Sequence, residues 1–265
     1  MRSKITEKFE VLQANKQKAL IGYITSGDPD LDTSVKLVTI LEESGVDIIE
    51  LGIPYSDPLA DGPVIQRASL RALNNGANIN SIFNMVKRIR ERTNIPIAFL
   101  VYYNSIFRYG INNFLINCRS CGIDGLIIPD LPLEERKELN EQMKGYAIDL
   151  IPLVAPTSED RIKEIVKDAQ GFVYCISSQG VTGMRGSFDV DLAVFMKEVR
   201  KHTDIPLAIG FGISDAEMVR ELKNLSDGLI VGSAIIKKIE EGISEGDIEQ
   251  RVSKFVYGLH EGVRS

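Results

Sequence analysis

The sequence predicts an α/β fold, a single (β/α)8 TIM barrel over residues 1–265 with an extra helix at each end. Three observations lead to this prediction. Short apolar runs alternate with amphipathic segments of helical period along the whole chain. The apolar runs are continuous, as expected for parallel strands that are buried on both faces. No linker or low-complexity segment interrupts the repeat, so one barrel accounts for the full length.

The predicted strands number eight and follow one another at regular intervals. They are ALIGYIT at 19–25, DIIELG at 47–52, PIAFLVYY at 96–103, GLIIPD at 125–130, DLIPLVA at 149–155, FVYCIS at 172–177, PLAIGFG at 206–212 and GLIVGS at 228–233. The phrases GVDIIELG, GIDGLIIPD and LSDGLIVGS resemble one another, which indicates a repeated structural unit. An open doubly wound sheet remains the alternative, because periodicity does not show whether the sheet closes.

Helical segments of amphipathic pattern lie between these strands. They include TSVKLVTILEES, INSIFNMVKRIRER, LEERKELNEQMK, SEDRIKEIVKDA and VDLAVFMKEVRKH. Glycines follow several helical patterns where a left-handed cap is expected, namely Gly45, Gly76, Gly122 and Gly145. The run SDAE from Ser214 predicts a capping box at the start of a further helix.

Composition and charge exclude several classes of function. The net charge of -6 gives no basic field for nucleic acid, and a small anionic substrate would have to be held by local dipoles. No apolar run approaches the roughly 20 residues of a membrane span, and the first residues lack the apolar core of a secretory signal. Three cysteines are too few for a disulfide framework. The expected location is therefore the cytoplasm.

Cys118 and Cys121 form a C-x-x-C pair, which raises the question of a metal or redox site. A zinc site needs further ligands, and the two histidines, His202 and His260, lie far away in the sequence. Packing within a helix is the favoured interpretation of the pair, and no metal site is predicted.

Glu50 stands near the end of the second predicted strand, beside Ile49 and Leu51. A glutamate in such surroundings is rarely buried unless it is paired, so one interpretation is a structural ion pair or a hydrogen bond to a loop. The other is a carboxyl group whose pKa is raised by burial, so that it serves as an acid or base near neutral pH. Barrel enzymes build their sites at the carboxyl ends of strands, which makes Glu50 a candidate catalytic residue.

The loop after this strand, PYSDPLADGP, carries Asp57 and Asp61. A lone loop aspartate is usually a solvated turn or a cap. Here the loop follows Glu50 directly and is stiffened by prolines, which favours a positioned, functional loop. Thr25, Asp28 and Asp130 end other strands and raise the same question on fewer observations.

Glycine-bearing loops follow the last three strands. AIGFGIS at 208–214 and IVGSAI at 230–235 each lead from a strand into a helix, which exposes backbone N–H groups at a helix N-terminus. SSQGVTGMRGSF at 177–188 adds a polar loop after the sixth strand. Because the last two strands carry the usual phosphate site of this barrel, we predict a phosphate group there.

Two kinds of aldolase chemistry lack their residues at the strand ends. No predicted strand carries the lysine that an imine-forming aldolase requires, and both histidines lie in helical segments. The chemistry of this face must therefore use carboxylates, hydroxyls and tyrosines such as Tyr102 and Tyr174.

These residues resemble a known family. ELGIPYSDPLADGPVIQ at 50–66, GDP at 27–29, DLPLEE at 130–135, GVTG at 180–183, GFGIS at 210–214 and GSAI at 232–235 closely resemble the tryptophan synthase alpha chain. The resemblance covers essentially the whole chain. The first motif is long and highly specific, whereas the glycine motifs alone fit many phosphate-binding barrels.

The resemblance implies a lyase that cleaves indole-3-glycerol phosphate to indole and glyceraldehyde 3-phosphate, with Glu50 and Asp61 as the catalytic pair. It implies substrate contacts with a set of further residues, some through the phosphate and others through the indole ring. These are Tyr23, Leu100, Tyr174, Thr182, Gly183, Phe211, Gly212, Ile213, Gly232, Ser233 and Ala234. The segment 180–190 resembles the lid of the family, and Ser178 stands where many relatives have arginine.

The resemblance also implies a partner, a beta chain that carries pyridoxal phosphate, in an alpha2beta2 heterotetramer. Pro54 and Asp57 match loop positions that touch this partner, and the alpha chain itself is expected to need no cofactor. Two other interpretations stay open at this point. One is another phosphate-binding barrel enzyme, a phosphosugar epimerase or an indole-glycerol-phosphate-forming synthase, and the other is a catalytically silent barrel that only activates a partner.

Overall fold

A computed structural model of the chain describes residues 2–176, 185–210 and 212–265. Within these residues the strands form one nine-stranded sheet in which all paired neighbours are parallel. The strands are β1 Ala19–Thr25, β2 Ile48–Gly52, β3 Ile97–Leu100, β4 Gly125–Ile127, β5 Asp149–Ile151, β6 Leu153–Val154, β7 Val173–Ile176, β8 Leu207–Gly210 and β9 Gly228–Val231. Their order in the sheet is β5-β4-β3-β2-β1-β9-β8-β7-β6.

The sheet closes at Pro152. β5 and β6 stand at opposite ends of the strand order, yet they are two halves of the predicted fifth strand and are separated only by this proline. β5 pairs with β4 and β6 pairs with β7. Pro152 has no N–H to donate, but its carbonyl accepts a hydrogen bond from the N–H of Tyr174 at 2.9 Å. The (β/α)8 barrel is therefore confirmed, and the open sheet is excluded.

The helices surround the sheet as the sequence predicts, with one extra helix at each end. They are α1 Lys4–Ala14, α2 Leu31–Glu43, α3 Pro63–Asn74, α4 Ile79–Arg90, α5 Tyr103–Tyr109, α6 Ile111–Cys121, α7 Leu133–Met143, α8 Ile162–Val166, α9 Arg185–Arg200, α10 Ala216–Leu222, α11 Ser233–Glu245 and α12 Ile248–Arg264. The four glycines predicted to cap helices all have positive φ, between 81° and 101°. None of the helices in the described ranges is long and apolar enough to cross a membrane.

Alternate side chains of each strand enter two different apolar clusters. One set packs against the outer helices, and the other fills the barrel interior together with Ile5, Phe9 and Leu12 of α1. Because Ile21 pairs with Ile48 near the start of both strands, this interior cluster lies toward the N-terminal end of the barrel. α1 thus packs across the N-terminal end of the barrel. The side chains of α1 do not fill the interior near the carboxyl ends of the strands.

The three phrases that resemble one another share a structural role at the N-terminal edge of the sheet. Each supplies an aspartate whose Oδ2 atom accepts a backbone N–H at 2.9 Å: Asp47 from Leu20, Asp124 from Ile97 and Asp227 from Leu207. Each aspartate also pairs with an arginine: Arg264, Arg90 and Arg200, respectively. The shared aspartate of the repeated phrase therefore joins neighbouring strands and is not itself a candidate for the chemistry.

Candidate active site

Glu50 projects into the barrel from β2. Its neighbours in register are Tyr23 of β1 and Ala98 of β3, and only 1% of its surface is exposed. Within the described part of the chain, neither carboxyl oxygen of Glu50 has a hydrogen-bond partner. None of the described residues therefore supplies the structural ion pair or loop hydrogen bond considered for this residue.

The surroundings of Glu50 favour its neutral form. Burial raises the pKa of its carboxyl group to about 8, and the nearby charge of Asp61 acts in the same direction. A carboxylic acid with this pKa is mostly protonated at neutral pH, yet it loses its proton readily. Glu50 can therefore both donate and accept a proton near pH 7.

Asp61 lies in the loop between β2 and α3, as the sequence predicts. Burial raises the pKa of Asp61 to about 6, and a hydrogen bond from Tyr102 lowers it. The backbone carbonyl of Asp61 accepts a hydrogen bond from Nε2 of Gln66 at 2.8 Å. Asp61 is thus mainly ionised at neutral pH while Glu50 is mainly neutral, and such a division of pKa values separates the roles of two carboxyl groups.

An aromatic stack supports the loop that carries Asp61. The Tyr102 hydroxyl accepts a hydrogen bond from the N–H of Ala60 at 3.0 Å. The Tyr102 ring stacks on Tyr55 with centroids 4.9 Å apart, and Asn104 donates to the Tyr55 hydroxyl at 2.9 Å. Sequence reasoning missed Tyr55 and Asn104, because their only signal was a position near the ends of predicted strands.

Tyr23 and Tyr174 occupy the barrel interior near Glu50. Two glycines make room for them: a Cβ atom at Gly52 would lie 2.2 Å from the Tyr23 hydroxyl, and one at Gly210 would lie 2.2 Å from the Tyr174 ring. Burial raises the pKa of both phenols well above the ordinary value. The negative charge of Asp61 raises the pKa of Tyr23 further, and that of Glu50 raises the pKa of Tyr174 further. Both hydroxyls therefore stay protonated, and that of Tyr23 lies 3.2 Å from Oγ1 of Thr25.

Apolar side chains border the same region. Leu100 of β3 is partly buried and packs against the interior cluster, as do Leu153 and Tyr174. Ile213 is 2% exposed and belongs to the larger apolar cluster, which also contains Tyr23. A contact of Ile213 with a substrate ring therefore stays a prediction, whereas Leu100 already faces the interior.

The loops after β8 and β9 have the backbone form expected of an anion site. Gly212 has φ of 44°, and among the described residues other than its chain neighbours no heavy atom lies within 4 Å of a Cβ atom placed there. Gly232 is the N-cap of α11 and has no side chain to cap the helix, so it leaves the first N–H groups of the helix, at Ser233 and Ala234, without a side-chain acceptor. Such N–H groups bind anions well.

The helix after Gly212 begins one residue later than the predicted capping box. Asp215, not Ser214, caps α10, because its Oδ1 atom accepts the N–H of Met218 at 2.9 Å. Three of the predicted substrate contacts, Thr182, Gly183 and Phe211, lie outside the described residues, as does Ser178.

The remaining strand-end carboxylates are not brought to Glu50. Asp28 is paired with Arg71, and Asp130 accepts the N–H of Tyr103 at 2.7 Å. Asp57 is exposed and accepts a hydrogen bond from Ser56 at 2.7 Å. Pro54 is buried and lines a pocket of about 350 Å³ between the loop after β2 and helices α3, α4 and α5. The structure therefore separates the candidate catalytic pair, Glu50 and Asp61, from carboxylates with other partners.

The residues that the structure describes do not form a metal-binding site. They contain no group of three or more His, Cys, Asp or Glu side chains that could hold an ion. Cys118 and Cys121 are both buried in α6, as the packing interpretation predicts. Burial raises the pKa of the Cys121 thiol to about 11, so it is not a thiolate at neutral pH.

Comparison with known proteins gives one consistent result. A sequence model described as tryptophan synthase alpha chain matches residues 9–263. The tryptophan synthase alpha chain of Alkaliphilus metalliredigens is 61% identical over 261 residues, 98% of each chain, and that of Thermoanaerobacter sp. is 55% identical over 259 residues, 98% of this chain and 99% of the relative.

Solved structures agree with the sequence relatives. Tryptophan synthase subunit alpha from Legionella pneumophila has a TM-score of 0.93 at 33% identity, covering 100% of this chain and 99% of the other. A chain of Mycobacterium tuberculosis tryptophan synthase has a TM-score of 0.90 at 35% identity, with 100% of both chains covered. The chain belongs to the tryptophan synthase alpha chain family.

Proposed function

We propose that Glu50 and Asp61 carry out the alpha reaction of this family, the cleavage of indole-3-glycerol phosphate to indole and glyceraldehyde 3-phosphate in tryptophan biosynthesis. As a member of the family the chain is a lyase, and the proposal assigns the steps of that reaction to residues. The observation that carries it is the carboxyl group of Glu50, which is 1% exposed and has no hydrogen-bond partner among the described residues.

Glu50 moves the protons of the reaction. In its neutral form it donates a proton to carbon 3 of the indole ring, which places a positive charge on the ring. The resulting carboxylate then accepts the proton of the side-chain hydroxyl next to the ring. The carbon–carbon bond breaks, its electron pair returns to the ring, and the hydroxyl carbon becomes the aldehyde of glyceraldehyde 3-phosphate. Glu50 ends in the protonation state in which it began.

Asp61 stabilises the charge that develops between these two proton transfers. Its pKa of about 6 leaves it ionised at neutral pH, so it accepts the indole N–H and offsets the positive charge on the protonated ring. Tyr102 and Gln66 hold the loop in place through the bonds described above. The two carboxyl groups thus act in different charge states on opposite parts of the same reaction.

The substrate is held at its two ends. The N–H groups at Gly212, Ser233 and Ala234 bind the phosphate, with Gly183, Phe211 and Gly232 adding further contacts. Tyr23, Leu100, Tyr174, Thr182 and Ile213 contact the indole ring and the chain between it and the phosphate. Holding both ends places the reacting carbon beside Glu50.

The partner is a tryptophan synthase beta chain, which carries pyridoxal phosphate, in an alpha2beta2 heterotetramer in the cytoplasm. The alpha chain uses no cofactor of its own, and residues 1–265 form one domain. Pro54 and Asp57 contact the partner, because the loop they share with Asp61 opens on the same face as the site. Partner contact at this loop would then reach the catalytic carboxylate directly.

The test measures indole release from indole-3-glycerol phosphate by the purified chain, alone and with a saturating beta chain. We expect release in both cases and a faster rate with the partner, and Glu50→Gln serves as the inactive control. A catalytically silent barrel would release no indole under either condition while it still bound the beta chain. A different phosphate-binding barrel enzyme would bind glycerol phosphate and leave indole-3-glycerol phosphate intact. Either result would overturn the assignment.

A further inference from the structure

α3 carries the catalytic loop at its N-terminus but contributes little to the apolar core. The helix begins at Pro63, two residues after Asp61, and its buried residues are the small side chains of Ala68, Ser69 and Ala72. Val64 and Ile65 pack against the core but are only partly buried, and small side chains bury little apolar surface, so hydrophobic packing alone only weakly determines where the helix lies. Something else must fix the position of α3.

A buried ion pair fixes it. The Nε and Nη2 atoms of Arg71 in α3 donate to the two carboxylate oxygens of Asp28, at 2.7 and 2.9 Å. The Asp28 side chain is fully buried in the loop after β1, and the Arg71 side chain is 25% exposed. A two-pronged contact of this kind fixes direction as well as distance. An unpaired carboxylate at this depth would be costly, so the contact stays closed.

The same arginine reaches a second helix. Nη1 of Arg71 donates to Glu240 of α11 at 2.9 Å, and Arg67, one turn earlier in α3, binds both oxygens of Glu240 at 2.8 Å. At the other end of α3, Asn75 donates to the carbonyl of Pro29 at 2.6 Å. α3 is therefore fastened to the β1 loop and to α11 by polar contacts along its length.

The two elements joined in this way hold opposite ends of the substrate. α11 begins at Ser233 and Ala234, where the phosphate is proposed to bind. α3 begins beside Asp61, and Gln66 in its first turn holds the Asp61 carbonyl at 2.8 Å. A shift of α3 relative to α11 would therefore change the distance from the phosphate to the Asp61 carboxylate.

We propose that Arg71 is a positioning residue for the alpha reaction, which sets Asp61 relative to the bound substrate phosphate by holding α3 between Asp28 and Glu240. The inference rests on the proposed function of Asp61. It differs from a stability role because it concerns the geometry of one carboxylate. A misplacement of about 1 Å in such a group costs about 10²-fold in rate.

The test compares Arg71→Met with the double variant Asp28→Leu/Arg71→Met. The single change leaves Asp28 buried and unpaired, so we expect a lower Tm and a kcat about 10²-fold below that of the parent. The double change removes both partners of the pair, so most of the lost Tm returns. We expect kcat to stay low in the double variant, because an apolar pair does not reproduce the directed contact to α3 and α11. The affinity for glycerol phosphate should stay within about threefold of the parent in both variants, since the phosphate loops are unchanged.

Arg90→Met is the matched control, because Arg90 also pairs with a buried aspartate, Asp124, but at the N-terminal edge of the barrel. It should lower Tm and leave the kcat of the folded protein near that of the parent. If kcat recovers together with Tm in the double variant, or if Arg90→Met loses kcat as Arg71→Met does, Arg71 is only structural and the inference is overturned.

Arg71→Lys provides a third measurement, which decides the question if the other two variants do not fold. Lysine keeps the positive charge but cannot make the two-pronged hydrogen bond of the guanidinium group to Asp28. A kcat within threefold of the parent would therefore also overturn the inference. A parent that releases no indole would instead refute the proposed function, which keeps the two failures distinct.

Discussion

Asp47 and Glu50 are two buried carboxyl groups three residues apart in the sequence, Asp47 immediately before β2 and Glu50 in the middle of it. Asp47 accepts the N–H of Leu20 at 2.9 Å and pairs with Arg264 at 3.0 Å. Glu50 has no hydrogen-bond partner among the described residues, and burial raises its pKa to about 8. The same strand therefore carries a structural carboxylate at its start and a reactive one inside the barrel.

The difference between them teaches that burial alone does not identify a catalytic carboxyl group. Both residues are less than 10% exposed. What separates them is the presence of a cation and an N–H donor, which stabilise the charged form of Asp47. The absence of such partners leaves Glu50 poised between its two protonation states, at a cost in stability that a purely structural residue would not impose.

The largest expected effect is on the rate of indole release when the reactive carboxyl group, Glu50, is changed. Glu50→Gln keeps the size of the side chain and removes the ionisable proton, so indole release should fall by about 10³-fold or more, since general acid–base catalysis is worth about 10² to 10⁴ and Glu50 acts in two steps. Affinity for glycerol phosphate should survive. A folded variant that still releases indole within tenfold of the parent would refute the mechanism.

The same variant has an expected effect on stability, with a definite sign. The pKa of Glu50 is raised from 4.5 to about 8 on folding, so its contribution to stability is complete below pH 4.5 and is lost as the pH rises through about 8. Glu50→Gln has no ionisable group at this position, so its stability does not fall for this reason as the pH rises. Its free energy of unfolding should therefore exceed that of the parent increasingly between pH 4.5 and 8, which chemical denaturation at a series of pH values measures.

The second expected effect is on stability when the structural carboxylate, Asp47, is changed. Asp47→Asn removes the charge that faces Arg264, so the free energy of unfolding should fall by about 3 kcal/mol, because one partner of a buried ion pair is left alone. The kcat of the folded protein should be unchanged. Thermal denaturation and indole release on the same sample check both statements. A loss of kcat without a loss of Tm would show that the two carboxylates have been assigned the wrong way round.

The third effect concerns the proposed anion site in the loops after β8 and β9. Gly212→Asp places a carboxylate where the phosphate is proposed to bind, so KM for the substrate should rise by about 10²-fold, as like charges at close range repel strongly. Gly212→Asn is the control, since it has the same shape and the same backbone demand at φ of 44° without the charge. Equal binding of glycerol phosphate by the two variants would remove the assigned site.

The fourth effect sharpens the contrast in pKa between Glu50 and Asp61. A hydrogen bond from Tyr102 lowers the pKa of Asp61, so Tyr102→Phe should raise it and move the acid limb of kcat/KM upward from about pH 6. Activity at pH 5, below the limb, should drop by about tenfold for a shift of about one unit. Tyr55→Phe keeps the ring stack and has no contact with Asp61, so its pH profile should match the parent. An unmoved limb in Tyr102→Phe would assign it to another group.

The smallest effect lies outside the cavity. Asp57 is exposed and shares its loop with Asp61, so Asp57→Ala should leave the activity of the isolated chain intact and reduce activation by the beta chain about fivefold, as for an exposed charge at an interface. A titration of the partner against both proteins measures this, with Ser56→Ala as the neighbouring control. Identical activation curves would separate this loop from the partner.

Local pattern was sufficient for much of the fold. The apolar run at 19–25 is a strand over the predicted residues, and Gly122 ends α6 in the left-handed form that was expected. Such features depend on neighbours in the sequence, which period and turn chemistry describe. The capping box failed by one residue at Ser214, because both serine and aspartate favour the N-cap and only the geometry shows that Asp215 accepts the N–H of Met218.

The sequence by itself determined the strand and helix order, the presence of Glu50 in the second strand, the proline-stiffened loop with Asp61 and the glycines before α10 and α11. Glu50 does not close its strand, because β2 continues to Gly52. Only the tertiary structure decided the closure of the barrel at Pro152 and the pairing of Asp28 with Arg71, 43 residues away. It also decided that Asp47 pairs with Arg264, while no described arginine pairs with Glu50. The physical reason is that a side chain's pKa and role depend on the charges and donors around it, which arrive from distant segments once the sheet has closed.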